Sequence, residues 1–260
     1  MPLSDIPGHP IWVELYTSDP EAASRFYARL FGWTTEDAGP DYGGYLTFQH
    51  AGGPVAGCML NDATTGGVNS WSVYLESNAV EDTVRMAEAN GGQISIEPLQ
   101  VGELGHMAFV TDPAGALVGI WQPGTMEGIS ARAETGAPAW FELLTTDYQG
   151  ALDFYANAFG WDLHTVADTD DFRYSTLGKD DLALAGVMDA SGILGDAPPA
   201  WSVYFAVDDT DATVAAAEEA GGSVVRAAED SPYGRLAELS DPQGARFKIL
   251  GPNLRRPAAP

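Results

Sequence analysis

Positive charge is scarce in this chain. Its 260 residues hold 12 Lys and Arg against 37 Asp and Glu, a formal net charge of −25 at pH 7. A surface that acidic repels phosphate backbones and anionic lipid headgroups, so neither nucleic acid nor a membrane is expected as a partner. Cysteine is nearly absent: Cys58 stands alone, no internal disulfide can form, and a reducing, cytoplasmic setting fits. No apolar run approaches the ~20 residues that span a bilayer. The opening MPLSDIPGHP lacks a basic stretch followed by an apolar one, so no signal peptide is read there. Histidine is thin as well. His9, His50, His106 and His164 are the full set, and no two stand at metal-ligand spacing. The residues point to no metal and to no other cofactor. Gly43-Gly44 lacks the helix start of a nucleotide loop, and the acidic ADTDD stretch (Ala167–Asp171) lacks calcium-loop spacing.

What the chain does have is a duplication, and repeats decide a fold before any local pattern does. WVELYTSD, Trp12–Asp19, returns as WFELLTTD, Trp140–Asp147, 128 residues later. FYARLFGW (Phe26–Trp33) returns as FYANAFGW (Phe154–Trp161), VAGCM (Val55–Met59) as LAGVM (Leu184–Met188), and WSVYL (Trp71–Leu75) as WSVYF (Trp201–Phe205). Gly91-Gly92 matches Gly221-Gly222, and TDPAGA (Thr111–Ala116) matches SDPQGA (Ser240–Ala245). Chance does not keep so many landmarks in order.

Each half reads alike. A strand over 11–17 ends near Asp19, a residue suited to cap a helix. The helix carries Ala22, Phe26, Tyr27 and Leu30 on one face, and Gly32 closes it. Strands YLTFQHA and PVAGCML follow, then the polar loop NDATTGGVNS, the strand WSVYLES and a helix over 80–90 that stops at Gly91-Gly92. Strands HMAFVT and LVGIWQ flank a DPAG turn. The residues thus read as β-α-β-β twice in each half. The first domain is placed at 8–123, a linker poor in apolar periodicity at 124–137, and the second domain at 138–252, with a loose tail.

The strand ending at Asp19 and Asp147, the FYxxxFGW helix end and the DPxG hairpin, in order and twice over, resemble the vicinal oxygen chelate superfamily of glyoxalases, bleomycin-resistance proteins and extradiol dioxygenases. The resemblance covers nearly the whole chain and is strongest toward tandem hydroxylase- or glyoxalase-like members. It implies an α+β fold of two tandem glyoxalase-like domains, each of paired βαβββ units around a curved sheet and a cavity. In metal-dependent members a His, Gln or Glu stands at one cavity-facing position on each of four strands. Those positions correspond here to Trp12, Gly57, Ser72 and Gly119 in the first half. In the second they correspond to Trp140, Gly186, Ser202 and Lys248. None supplies the usual donors, so metal-dependent chemistry is expected to be absent.

Strand side chains alternate, so residues two apart share a face. The cavity faces are then expected to present Trp12, Glu14, Met59, Ser72, Tyr74 and Trp121 in the first half. Trp140, Glu142, Met188, Ser202, Tyr204 and Lys248 play the same part in the second. Glycines leave room at the vacated positions. Aromatic walls with sparse polar groups suit a hydrophobic, planar ligand. Each residue also has a plain packing alternative: the tryptophans as plugs, the methionines as filler, the serines bonded to backbone. An inward Glu14 or Glu142 tends toward a raised pKa and can act as acid or base, or it can sit in an ion pair. Arg235 and His106 hold equivalent places before the DPxG turn, at a ligand's polar edge or on the surface.

Two functions compete. One is metal-independent binding of a hydrophobic, aromatic metabolite or antibiotic. The other is a metal-independent hydratase, isomerase, cyclase or hydroxylase-like enzyme that uses Glu14 or Glu142. Two units per chain allow a monomer, and a homodimer is also possible.

Overall fold

A computed structural model describes residues 6–39, 42–62 and 67–254. The first residues of the opening segment, the interior of the NDATTGGVNS loop and the last six residues of the tail lie outside that description.

The first half runs β1 (Pro10–Thr17), α1 (Pro20–Phe31), β2 (Thr34–Asp37), β3 (Leu46–His50), β4 (Gly53–Leu60), β5 (Ser70–Glu76), α2 (Val80–Ala89), β6 (Gln93–Val101), β7 (Gly105–Thr111) and β8 (Leu117–Pro123). The second runs β9 (Pro138–Thr145), α3 (Tyr148–Phe159), β10 (Leu163–Asp168), β11 (Arg173–Leu177), β12 (Ala185–Asp189), β13 (Ala200–Ala206), α4 (Thr210–Glu219), β14 (Ser223–Ser231), β15 (Gly234–Ser240) and β16 (Arg246–Gly251). Each half forms a curved eight-stranded sheet, ordered β2-β3-β4-β1-β5-β8-β7-β6 and β10-β11-β12-β9-β13-β16-β15-β14. The fold is α+β, and each half is two βαβββ units. The residue pattern alone found only β-α-β-β, because the outer strands carry little apolar alternation. All four residues of β2 are exposed, and β6 and β14 bury none.

Local chemistry sets the helix ends. Asp19 caps α1 by accepting from the Ala22 N–H at 2.9 Å, Pro20 opens the first turn, and Gly32 ends the helix at φ 70°. Asp147 and Gly160 repeat this on α3. Helix α2 has no capping side chain of its own; the Val80 N–H is taken by Gln122 Oε1 at 2.9 Å.

Contacts divide the chain into two compact units, and neither is a sequence half. One joins the stretch through Val13 with Ser72–Gly128 and Trp140–Ser202. The other joins Glu14–Trp71, Ile129–Ala139 and the chain from Val203 onward. Inside the first, Tyr155 on α3 donates its hydroxyl to Asp112 Oδ2 at 3.3 Å and accepts from Trp201 Nε1 at 2.9 Å. Inside the second, Tyr27 on α1 donates to Asp241 Oδ2 at 3.2 Å and accepts from Trp71 Nε1 at 3.0 Å. The aspartates are those of the two DPxG turns, and Asp112 Oδ1 also accepts the N–H groups of Ala114, Gly115 and Ala116. Each FYxxxFGW helix end therefore packs into the turn of the opposite sequence half. Burial drives the Tyr27 and Tyr155 pKa values well above the ordinary phenol value and raises those of Asp112 and Asp241.

The same exchange explains the paired glycines. Gly221 takes φ 90°, while a Cβ on Gly222 would come within 2.9 Å of the Phe26 ring and 2.7 Å of the Ser240 carbonyl. Gly92 meets Phe154 at the same distance in the first unit. The helix-end tryptophans pin the chain leading into the other half's first strand: Trp33 Nε1 donates to the Gly136 carbonyl at 2.6 Å, and Trp161 Nε1 to that of Gly8 at 2.8 Å. The stretch read as a linker is stitched down as well. Met126 accepts from Trp121 Nε1 at 3.1 Å, and the Ser130 N–H reaches the Pro54 carbonyl at 2.8 Å.

Candidate functional site

The site is built on the sheet face turned away from the helices. Ser175 shows the division: its hydroxyl, nearly fully buried, bonds the Tyr148 hydroxyl of α3 at 2.7 Å. Tyr174, one residue back, must then point to the other face. Strand register aligns Glu142, Gly186, Thr176 and His164 in one row across β9, β12, β11 and β10, with Leu144, Met188 and Tyr174 in the next.

Three of these groups form a directed chain. Trp140 Nε1 lies 2.9 Å from Tyr174 Oη, which lies 3.0 Å from Glu142 Oε1. An indole N–H can only donate, so the tyrosine proton must go to the carboxylate. Glu142 is 6% exposed and Tyr174 9%, whereas Trp140 is half-buried. A hydrogen bond to a charged group of this kind contributes about 1.5–3 kcal/mol. The Phe172 ring stacks on Tyr174 at 5.6 Å and 13° and stays 37% exposed. Met188 is half-buried opposite Leu144, and Ser202 is half-buried on β13. The aromatic face can hold a flat ring, and the carboxylate beside it can accept a hydrogen bond or a proton.

The first-half part of the same unit is more closed. Trp12, Tyr74 and Trp121 are 2%, 2% and 5% exposed. Tyr74 meets Phe109 edge to face at 4.9 Å, and Ser72 is half-buried on β5. Glu76, across from Trp121 in the register, is buried; burial raises its pKa, partly offset by a hydrogen bond from the Gly8 backbone. The glycines expected to leave room do so for the protein's own rings. A Cβ on Gly119 would lie 2.3 Å from Tyr74 Cδ1, and one on Gly186 would lie 2.0 Å from Tyr174 Oη.

The remaining expected residues belong to the second unit. Glu14 is half-buried opposite Gly57, and Met59 is half-buried opposite Tyr16. Burial, then the charges of Glu14 and Asp241, push the Cys58 thiol up to about 12. Tyr204, 7% exposed, accepts from Lys248 Nζ at 3.0 Å. Arg235, paired with Asp211 at 2.8 Å and Asp230 at 3.0 Å, acts as a structural tie between α4, β14 and β15. Sequence reasoning passed over Tyr174, Phe172, Phe109 and Glu76. The repeat carried a signal for the first, since YSTL at 174–177 matches YLTF at 45–48.

The family model described as the Glyoxalase/Bleomycin resistance protein/Dioxygenase superfamily matches residues 9–120 and again 137–249. The chain belongs to this superfamily. A Mycobacterium tuberculosis protein named "Putative glyoxylase CFP32" is 38% identical over 250 residues, covering 94% of this chain and 95% of the relative. The "Anthracycline biosynthesis protein DnrV" of Streptomyces peucetius is 35% identical over 281 residues, covering 97% and 96%. Among solved structures, the Mn(II)-bound glyoxalase from Novosphingobium aromaticivorans superposes with a TM-score of 0.65 at 15% identity, covering 95% of this chain and 82% of that one. The 2,3-dioxygenase LapB from Pseudomonas sp. KL28 gives 0.65 at 13%, covering 97% and 96%. At such identities the two structures speak for the superfamily fold alone.

The residues at the superfamily's metal-ligand positions do not fit a catalytic ion. They are Trp12, Gly57, Ser72 and Gly119, and Trp140, Gly186, Ser202 and Lys248, one of them itself a cation, and tyrosines fill the space beside Gly119 and Gly186. Among the described residues, no three of His, Cys, Asp and Glu stand together as a metal site. His9 Nδ1 pairs with the Ile6 carbonyl at 2.9 Å and His164 Nε2 with Asp162 at 3.2 Å. No described helix is long and apolar enough to cross a membrane.

Proposed function

We propose that the protein binds a planar, polycyclic aromatic small molecule against Trp140, Tyr174 and Phe172, without a resident metal. The observation that carries this reading is the Trp140–Tyr174–Glu142 chain with the part-exposed Phe172 ring stacked beside it. The chain holds Trp140 and Tyr174 in place before a ligand arrives, which lowers the ordering cost of binding. Burying ~200 Å² of ring contributes about 5 kcal/mol, enough with a second contact for micromolar affinity. The relative named for anthracycline biosynthesis supports a polycyclic, quinone-like ligand.

Titration of tryptophan emission with a series of three- and four-ring aromatic quinones tests the reading. Saturable quenching is expected, weakened at least about tenfold in Trp140→Ala. Emission that stays flat over the whole series would remove it. Metal analysis of the purified protein should find no stoichiometric Fe, Ni, Zn or Mn.

A second reading has its own support. Glu142 is buried and its carboxylate accepts a hydrogen bond from the Tyr174 hydroxyl, an arrangement suited to moving a proton on such a ligand during hydration, isomerisation or cyclisation. Glu142→Gln separates the two: a binder keeps its affinity, and an enzyme keeps affinity but loses turnover.

A further inference from the structure

One cation on the helix-free face has no counterpart in the other half. Phe247 and Ile249 on β16 are 1% and 0% exposed on the helix side, so Lys248 between them points to the other face. Its ammonium is held in place. Nζ donates to Tyr204 Oη at 3.0 Å and lies 4.7 Å from that ring's centroid, so the stem runs along the ring. Lysine occurs in this chain only at 179 and 248. Lys248 is half-buried, whereas Lys179 is exposed. In the first half the matching row is Tyr74, Gly119 and Phe109, with no charge.

We propose that the Tyr204–Lys248 pair, within the second unit, is a binding site for the anionic oxygen of a small molecule, a carboxylate or an enolate. A positioned ammonium beside a phenol offers charge-assisted donors in a half-buried setting. Glu238 stands opposite Lys248 in the register, its carboxylate 3.9 Å from Arg246. A single charge-assisted contact of this kind is expected to give about a tenfold gain. This inference rests on the chain being a small-molecule binder, not on where its rings stack.

The two lysines make the test direct. Protein labelled with 13C-lysine shows two side-chain Cε signals, and exposed Lys179 is the internal control. Anthraquinone-2-carboxylate should shift the Lys248 signal saturably and leave Lys179 still; the methyl ester of the same acid should not. Lys248→Met should weaken the acid about tenfold and spare the ester, and Lys248→Arg should keep most of the difference. A Lys248 signal that stays put while tryptophan emission saturates with the acid overturns the anion site and leaves the aromatic reading standing. A Lys248 shift with flat emission upholds the anion site and removes the stacking face. Silence in both signals removes both.

Discussion

Beside Gly119 the ring of Tyr74 occupies the space a side chain would need, and Phe109 packs on it edge to face. At the matching place in the second half, Lys248 lies along Tyr204 and faces Glu238. The two halves share their element order and their interlocking contacts but not this row. Tyr27–Asp241–Trp71 and Tyr155–Asp112–Trp201 match to within about 0.1 Å in both hydrogen bonds. The contacts that hold each unit together stayed alike, while the helix-free faces diverged. Each interlock ties one half to the other, so a change there loosens both. A change on an open face is expected to act on the side chains of that face.

That contrast can be broken at several depths. The largest effect is expected at the turns. Asp112→Ala strips the acceptor from three turn N–H groups and the Tyr155 hydroxyl, and should cost about 3 kcal/mol or more in denaturant unfolding. Asp241→Ala should cost a similar amount, and a loss in only one of the two would show that the interlocks are not equivalent. Next come the glycines. Gly119→Ala and Gly186→Ala each drive a methyl into a tyrosine and should lose about 1–3 kcal/mol. Only Gly186→Ala should also weaken ligand binding, because it displaces the phenol that bonds Glu142.

The acid range gives a smaller, signed effect. Burial raises Asp112 and Asp241 above the usual 3.8, so the folded state holds their protons more tightly than the unfolded chain. Their stability contribution is full below about 3.8 and is lost as pH rises through the folded values. Stability measured stepwise across this range should fall less in Asp112→Asn and Asp241→Asn than in the parent; equal slopes would contradict the burial argument. The smallest change is Cys58→Val, which copies Val187 of the second half and should cost under about 1.5 kcal/mol. The parent thiol, pushed up to about 12 and fully buried, should resist iodoacetamide at pH 8 until the protein unfolds.

Much of this was readable in the residues. Asp19 and Asp147 are caps, Gly32 and Gly160 end their helices, and the DPxG sequences are turns, because short-range chemistry decides each of them. Phe26 and Tyr27 were legible as buried from helical spacing, but spacing does not say what buries them. Their partners Phe247 and Asp241 lie in the other half, and two near-identical copies of a motif cannot reveal which copy meets which turn. The edge strands escaped because exposed strands need no apolar alternation. On the open face, alternation put Trp140 and Glu142 on the same side of β9, where both bond Tyr174. It could not place Tyr174 between them, because that contact comes from β11, two strands away in the sheet order.

The chain alone determined the duplication, the caps, the turns and the lack of metal donors at the expected positions, since all of these depend on residue type and spacing. Only the tertiary structure decided that each unit is shared between the halves, that tyrosines fill the glycine gaps, and that one face carries a lysine against a phenol. Those outcomes depend on packing between segments remote in sequence, where close approach of atoms, not local preference, determines the energy.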